Sequence, residues 1–104
     1  MSPRVSTVTL SRRAQAQLAE IIRTTARRWG PPQADTYRVA LRTCFAAMAS
    51  GTAPMRRMEG PGGPYLRHRC RHHVIFAIHT GGALRIVQIL HERMDAPTRL
   101  TGEP

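Results

Sequence analysis

Five histidines in the second half of the chain, His68, His72, His73, His79 and His91, lie among Arg67, Arg69, Arg71 and Arg93. Imidazole moves protons near neutral pH, and guanidinium clamps a phosphate or carboxylate through paired N–H groups. Together these are the ingredients of RNA cleavage. That reaction needs a base for the ribose 2′-OH, an acid for the leaving 5′-oxygen and cations on the scissile phosphate. The spacing does not assemble them, and no catalytic residue is assigned. A metal is the second possibility, because His68, Cys70 and His72 would project from one face of an extended segment as a soft ligand set. A strand-to-strand turn near these residues would break that alternation. Exposed strand-end histidines are therefore the preferred reading, with no metal and no cofactor.

Charge points to the partner. All 16 basic residues are arginine, against 6 acidic ones, giving +10 in 104 residues and an isoelectric point near 11.7. The absence of lysine excludes Schiff-base, lysine-base and Walker-type phosphate chemistry. An acidic partner is expected instead. A chain of this length forms one domain, residues 1–104, burying roughly two-thirds of its unfolded surface, so partner surfaces are expected rather than a deep substrate cavity. Cys44 and Cys70 do not have the spacing of a metal or redox pair. Cys44 reads as a core residue and Cys70 as an ordinary strand residue. The apolar runs are too short for a membrane span or a secretory leader, which makes a cytoplasmic, membrane-free protein the default expectation.

The elements that would position these groups follow from periodicity. Residues 3–10 alternate loosely and are rich in Val and Thr, as a first strand would be. Ser11 sits where a helix cap belongs. Over residues 12–29, Ala14, Leu18, Ile21, Ile22, Thr25 and Trp29 recur at helical spacing, and Gly30, Pro31 and Pro32 end the run. A second helix, residues 33–50, carries Tyr37, Leu41, Cys44, Phe45 and Met48 on one stripe, so the pair forms a helix hairpin. Trp29 and Tyr37 read either as partner hot spots or, preferably, as packing where the two helices meet. Residues 51–64, rich in Gly and Pro, read as a loop in which Met55 and Met58 are either anchors or partner contacts. Residues 65–69, 72–79 and 83–90 read as three strands, with Gly81-Gly82 as a hairpin turn. Val74, Phe76 and Ile78 are expected on one face, and Leu84, Ile86 and Leu90 on another. The last strand is apolar on both sides apart from Arg85 and Gln88, as an interior strand would be. The fold class is α+β: an N-terminal strand, an antiparallel helix hairpin and a three-stranded antiparallel meander.

Several motifs in this order resemble the ParE branch of the ParE/RelE superfamily, the toxins of bacterial type II toxin–antitoxin modules. They are Leu10-Ser11-Arg12-Arg13-Ala14 with Leu18 and Ile21, Arg28-Trp29-Gly30, Tyr37 and Leu41, Gly63, Tyr65 and Arg67, and His73-Val74-Ile75-Phe76. They continue with Ile86-Val87 and Ile89-Leu90-His91-Glu92-Arg93-Met94-Asp95, and end at Leu100. Three positions depart from the pattern: Ala77 where Tyr is usual, Gln88 where Arg is frequent, and Arg99 where His commonly precedes the final Leu. The first two bear on how active such a toxin is.

The resemblance implies a non-enzymatic toxin that binds DNA gyrase, meets nucleic acid only indirectly, and is neutralised in a hetero-oligomer by an acidic, ParD-like antitoxin. A basic domain suits an acidic segment that folds on binding. The residues expected to touch antitoxin or gyrase are Arg67, Arg69, Arg71, His91, Arg93, Met94, Asp95 and Leu100. A structural role for residues 91–95 is the alternative, with Arg93 paired to Asp95 or Glu92 to pin the tail. Two other functions stay open. One is a RelE-like ribosome-dependent mRNA endoribonuclease, against which stand the missing lysine, the early position of Tyr65 and the His-Glu-Arg-Met-Asp ending. The other is a basic nucleic-acid-binding module, recognisable by steeply salt-dependent affinity.

Overall fold

Ser11 is where the chain turns from extended to helical. Its backbone is extended, and its hydroxyl accepts the N–H of Ala14, capping the first helix. The same hydroxyl donates to the carbonyl of Val87, 76 residues away, at 3.1 Å. One side chain thus starts a helix and fastens it to the sheet.

The computed structural model describes residues 7–60 and 63–94. In chain order these form β1 (Thr7–Leu10), α1 (Arg12–Trp29), α2 (Pro31–Ser50), β2 (Arg56–Gly60), β3 (Gly63–Cys70), β4 (His73–Thr80) and β5 (Ala83–His91), followed by a 3₁₀ turn, Glu92–Met94. The sheet order is β1-β5-β4-β3-β2. β1 runs parallel to β5 and the other pairs are antiparallel, so the sheet is mixed. The α+β class and the helix hairpin stand, and β5 is interior as its two apolar faces require.

Two elements differ from the sequence expectation. α2 starts at Pro31, because proline at the first helical positions lacks only N–H groups that would be unpaired there. Gly30, at φ 95°, serves both helices: its N–H closes the end of α1 on Ala26, and its carbonyl accepts from Ala34 in α2. The segment 51–64 is not all loop, since Arg56–Gly60 pairs with β3 as a fifth strand. Met58 sits on that strand against the outer face of the sheet, and Met55 packs on the main core, so both act as anchors.

The main core lies between the helices and the sheet. Leu18, Leu41, Phe45 and Met48 meet Ile75, Ala77, Leu84, Ile86 and Ile89 there. A smaller cluster, Val74, Phe76 and Leu90, occupies the other face with Met58, Tyr65 and Val87. Leu90 therefore does not share a face with Leu84 and Ile86. Ala77 pairs with Ile86 but Phe76 pairs with Gln88, leaving Val87 as an extra residue on β5. A bulge of this kind shifts the alternation by one. Ala77, one of the departures from the family pattern, is fully buried in the main core.

Cys44 of α2 and Cys70 at the end of β3 form a disulfide, with their Cα atoms 6.3 Å apart. This corrects the reading of both as unpaired residues. The stripe that turns Cys44 inward and the alternation that turns Cys70 inward bring them together from 26 positions apart. In the chain-entropy account, a loop of that size contributes roughly 3–4 kcal/mol. Reduction with dithiothreitol should therefore lower the urea unfolding midpoint of the native protein and leave that of Cys44→Ser unchanged.

Candidate functional site

Where β5 runs past the end of β1, its outer backbone groups lose their strand partner. The register ends at Leu10 opposite Ile86. From there α1 supplies the partners: the Ser11 N–H donates to the Ile86 carbonyl, the Ser11 hydroxyl donates to Val87, and the Gln17 amide oxygen accepts the Ile89 N–H at 2.7 Å. Beyond this seam the strand and helix leave a groove of about 800 Å³ between α1, the start of α2, the β3–β4 turn and the strand end. Ile21 and Ile89 give it apolar walls. Trp29 and Met94 stand in it with 67% and 42% of their surfaces exposed.

Trp29 was expected at the helix junction and is not there. Gly30 alone connects the helices, and the indole faces the groove with the Arg28 guanidinium over its ring at 5.8 Å. Tyr37 does pack on the core, but its hydroxyl reaches the β3–β4 turn. It accepts the His72 N–H at 3.1 Å and bonds His73 Nδ1 at 2.5 Å. The rings of Tyr37 and His73 meet edge to face, and so do those of His73 and His91, with the second pair's centroids 5.3 Å apart. Glu92 closes the cluster from the 3₁₀ turn, pairing with Arg69 and with His72, whose Nδ1 lies 3.3 Å away. Its N–H is held by the His72 carbonyl.

Burial sets the protonation of this cluster. His73 is pushed down to about 4, first by desolvation and then by its neighbours His91 and His72, so it is a neutral hydrogen-bonding group at physiological pH. Burial also raises the Tyr37 hydroxyl above its ordinary value. The hydrogen bond from His72, with Arg69 nearby, holds the Glu92 carboxyl below the usual range.

Of the residues expected to contact partners, Arg71, His91 and Met94 line the groove. Arg69 lies on β3 opposite Val74 and pairs with Glu92, and is not among the groove residues. Arg67 is on β3 opposite Phe76, towards the outer face of the sheet, and is not among the groove residues. Arg93 is exposed on the 3₁₀ turn, where its N–H caps His91 Nδ1. Glu92 thus pairs with Arg69 and His72 rather than with Arg93. Asp95 and Leu100, like Arg99, lie outside the described residues.

The metal set is not assembled. Cys70 is bonded to Cys44, His68 binds the Pro54 carbonyl, and the turn at Arg71-His72 separates His72 from the strand. No helix among the described residues is long and apolar enough to cross a membrane. The sequence reading missed the joint placement of His73 and Gln17, and set a partner-facing Trp29 and Tyr37 second to packing at the helix junction. Only an exposed-type residue ending an apolar stripe, as Trp29 does, offered a signal.

His73 makes stability depend on pH. Its folded-state value lies near 4 against 6.5 for a free imidazole, so across that window the unfolded chain binds a proton that the folded chain resists. Stability contributed above 6.5 is lost as pH falls towards 4. Urea unfolding at about pH 7 and about pH 5 should show this loss in the native protein and a smaller one in His73→Phe. Equal losses would contradict the assignment.

Comparison with known proteins identifies the family. The model of the ParE toxin of type II toxin–antitoxin systems, parDE, matches residues 8–96. The chain is 39% identical over 92 residues to Toxin ParE of Escherichia coli, covering 88% of this chain and 89% of the relative. It is 34% identical over 92 residues to Toxin ParE1 of Mycobacterium tuberculosis, covering 88% and 94%. Toxin ParE1 of Caulobacter vibrioides is 32% identical over 91 residues, again with 88% and 94% covered. Among solved structures, a chain of the chromosomal ParDE system from P. aeruginosa superposes with a TM-score of 0.70 at 16% identity, covering 84% of this chain and 96% of that one, which shows a shared fold. With a matching family model over most of its length and relatives above 30% identity, this chain belongs to the ParE toxin family of type II toxin–antitoxin systems.

Proposed function

We propose that this chain acts by binding rather than by catalysis: it inhibits DNA gyrase when free, and an acidic ParD-like antitoxin seated in the α1–β5 groove holds it inactive in the cytoplasm. The observation that carries the antitoxin half is the groove itself. It exposes Trp29 and Met94 in a chain of charge +10, and large exposed apolar side chains beside arginines suit an amphipathic acidic segment. The gyrase half rests on membership of the ParE family.

Two measurements test the two halves separately. Purified protein added to gyrase, plasmid DNA and ATP should abolish supercoiling and accumulate cleaved complex; untouched supercoiling would remove gyrase as the target. Trp29→Ala should fold as the native protein does, since the indole is largely exposed. It should nonetheless weaken binding of the acidic protein encoded beside the toxin gene by about tenfold or more, as loss of an aromatic anchor does. Unchanged affinity would place the antitoxin elsewhere.

A further inference from the structure

Arg71 has a φ of 58° at the first central position of the two-residue turn joining Cys70 to His73. Hairpins ordinarily place glycine where φ is positive. An arginine there is a local cost the turn does not require, and such outliers concentrate where a side chain is held for a purpose. Its side chain lines the groove, and none of the ion pairs among the described residues includes it.

The adjacent histidines have fixed tautomers. His91 Nδ1 accepts the Arg93 N–H at 3.2 Å, so its ring proton is on Nε2. The Tyr37 hydroxyl already accepts from His72. Donating its one proton to His73 Nδ1 satisfies both groups and leaves the His73 proton on Nε2 as well. Both rings line the groove.

The nearby carboxylates and the Gln17 amide already have partners. Glu92 serves Arg69 and His72, Glu20 serves Arg23, Arg27 and Thr24, and the Gln17 amide oxygen serves Ile89. Among the described residues, neither carboxylate at this groove is left over for the Arg71 guanidinium and the His73 and His91 rings.

We propose that Arg71, His73 and His91 form a receptor for one carboxylate of the antitoxin's acidic segment, with Trp29 and Met94 taking the apolar residues that flank it. The inference rests on the antitoxin reading above. Its occupant is a carboxylate because three donors with no carboxylate left for them among the described residues suit an oxyanion, and the partner called for by the chain's charge is an acidic peptide.

Arg71→Gly separates this role from folding, because glycine relieves the positive φ while removing the charge. The test is calorimetric titration of the acidic protein encoded beside the toxin gene into the native toxin, Arg71→Gly, His91→Phe, His91→Gln and, as a control outside the groove, Arg42→Ala. Arg71→Gly should unfold at equal or higher urea and yet bind about tenfold more weakly, the loss of one charge-assisted contact. His91→Phe should also weaken binding, and His91→Gln, which keeps an N–H donor, should restore part of it. Replacing the matching acidic residue of the antitoxin with its amide should weaken native binding but add little in the Arg71→Gly background. If Arg71→Gly and His91→Phe lose no more affinity than Arg42→Ala, the carboxylate receptor is wrong and the antitoxin reading survives. If the native toxin forms no complex, both fall.

Discussion

The attachment of β5 to the start of α1 is the constraint on which the remaining structure depends. β1 covers the backbone of β5 only as far as Ile86. Beyond it the Val87 carbonyl and the Ile89 N–H would be left without a strand, and a buried group without a partner costs about 1–3 kcal/mol. Ser11 and Gln17 meet both needs. Because Ser11 also caps α1, helix start and strand position cannot move independently. The bulge at Val87 falls in the same seam and turns Ile89 towards the helices and Leu90 away from them. The groove is what remains where helix and strand diverge beyond Gln17.

Charge contributes little to holding this fold together. No charged or polar residue is buried among the described residues, and the Glu20 and Asp35 ion pairs are exposed. Exposed pairs of this kind contribute roughly 0–1 kcal/mol each. Stability comes instead from the apolar layer between helices and sheet, supplemented by the Cys44–Cys70 link. The excess of arginine is thus available for association, and around the groove it stands beside exposed Trp29 and Met94. A surface that is both apolar and cationic selects an acidic, amphipathic occupant over a purely polar or purely apolar one.

Much of this was legible in the sequence where a local pattern carried it. The spacing of Leu41, Phe45 and Met48 gave α2 its buried stripe, Gly30-Pro31-Pro32 marked the helix corner, and Gly81-Gly82 marked the last hairpin, with both glycines at positive φ. What failed depended on partners distant in the chain. Arg56–Gly60 has no alternation of its own and becomes a strand because β3 offers it an edge. The bulge breaks the period of two on which the faces of Leu84, Ile86 and Leu90 were assigned. The disulfide needs α2 and β3 to be stacked before its two cysteines are neighbours. The candidate site was legible in part: Arg71, His91 and Met94 belong to the groove, whereas the contributions of Tyr37 and Trp29 appear only once the helix hairpin is set on the sheet.

Backbone hydrogen exchange of the toxin, alone and with the proposed ParD-like antitoxin, tests the central claim most directly. The account predicts new protection in the Arg71-His72-His73 turn, at residues 89–94 and in the last turn of α1, with β2 unchanged. Protection confined to β2 or to the exposed face of the helix hairpin, with the groove exchanging as in the free protein, would contradict it.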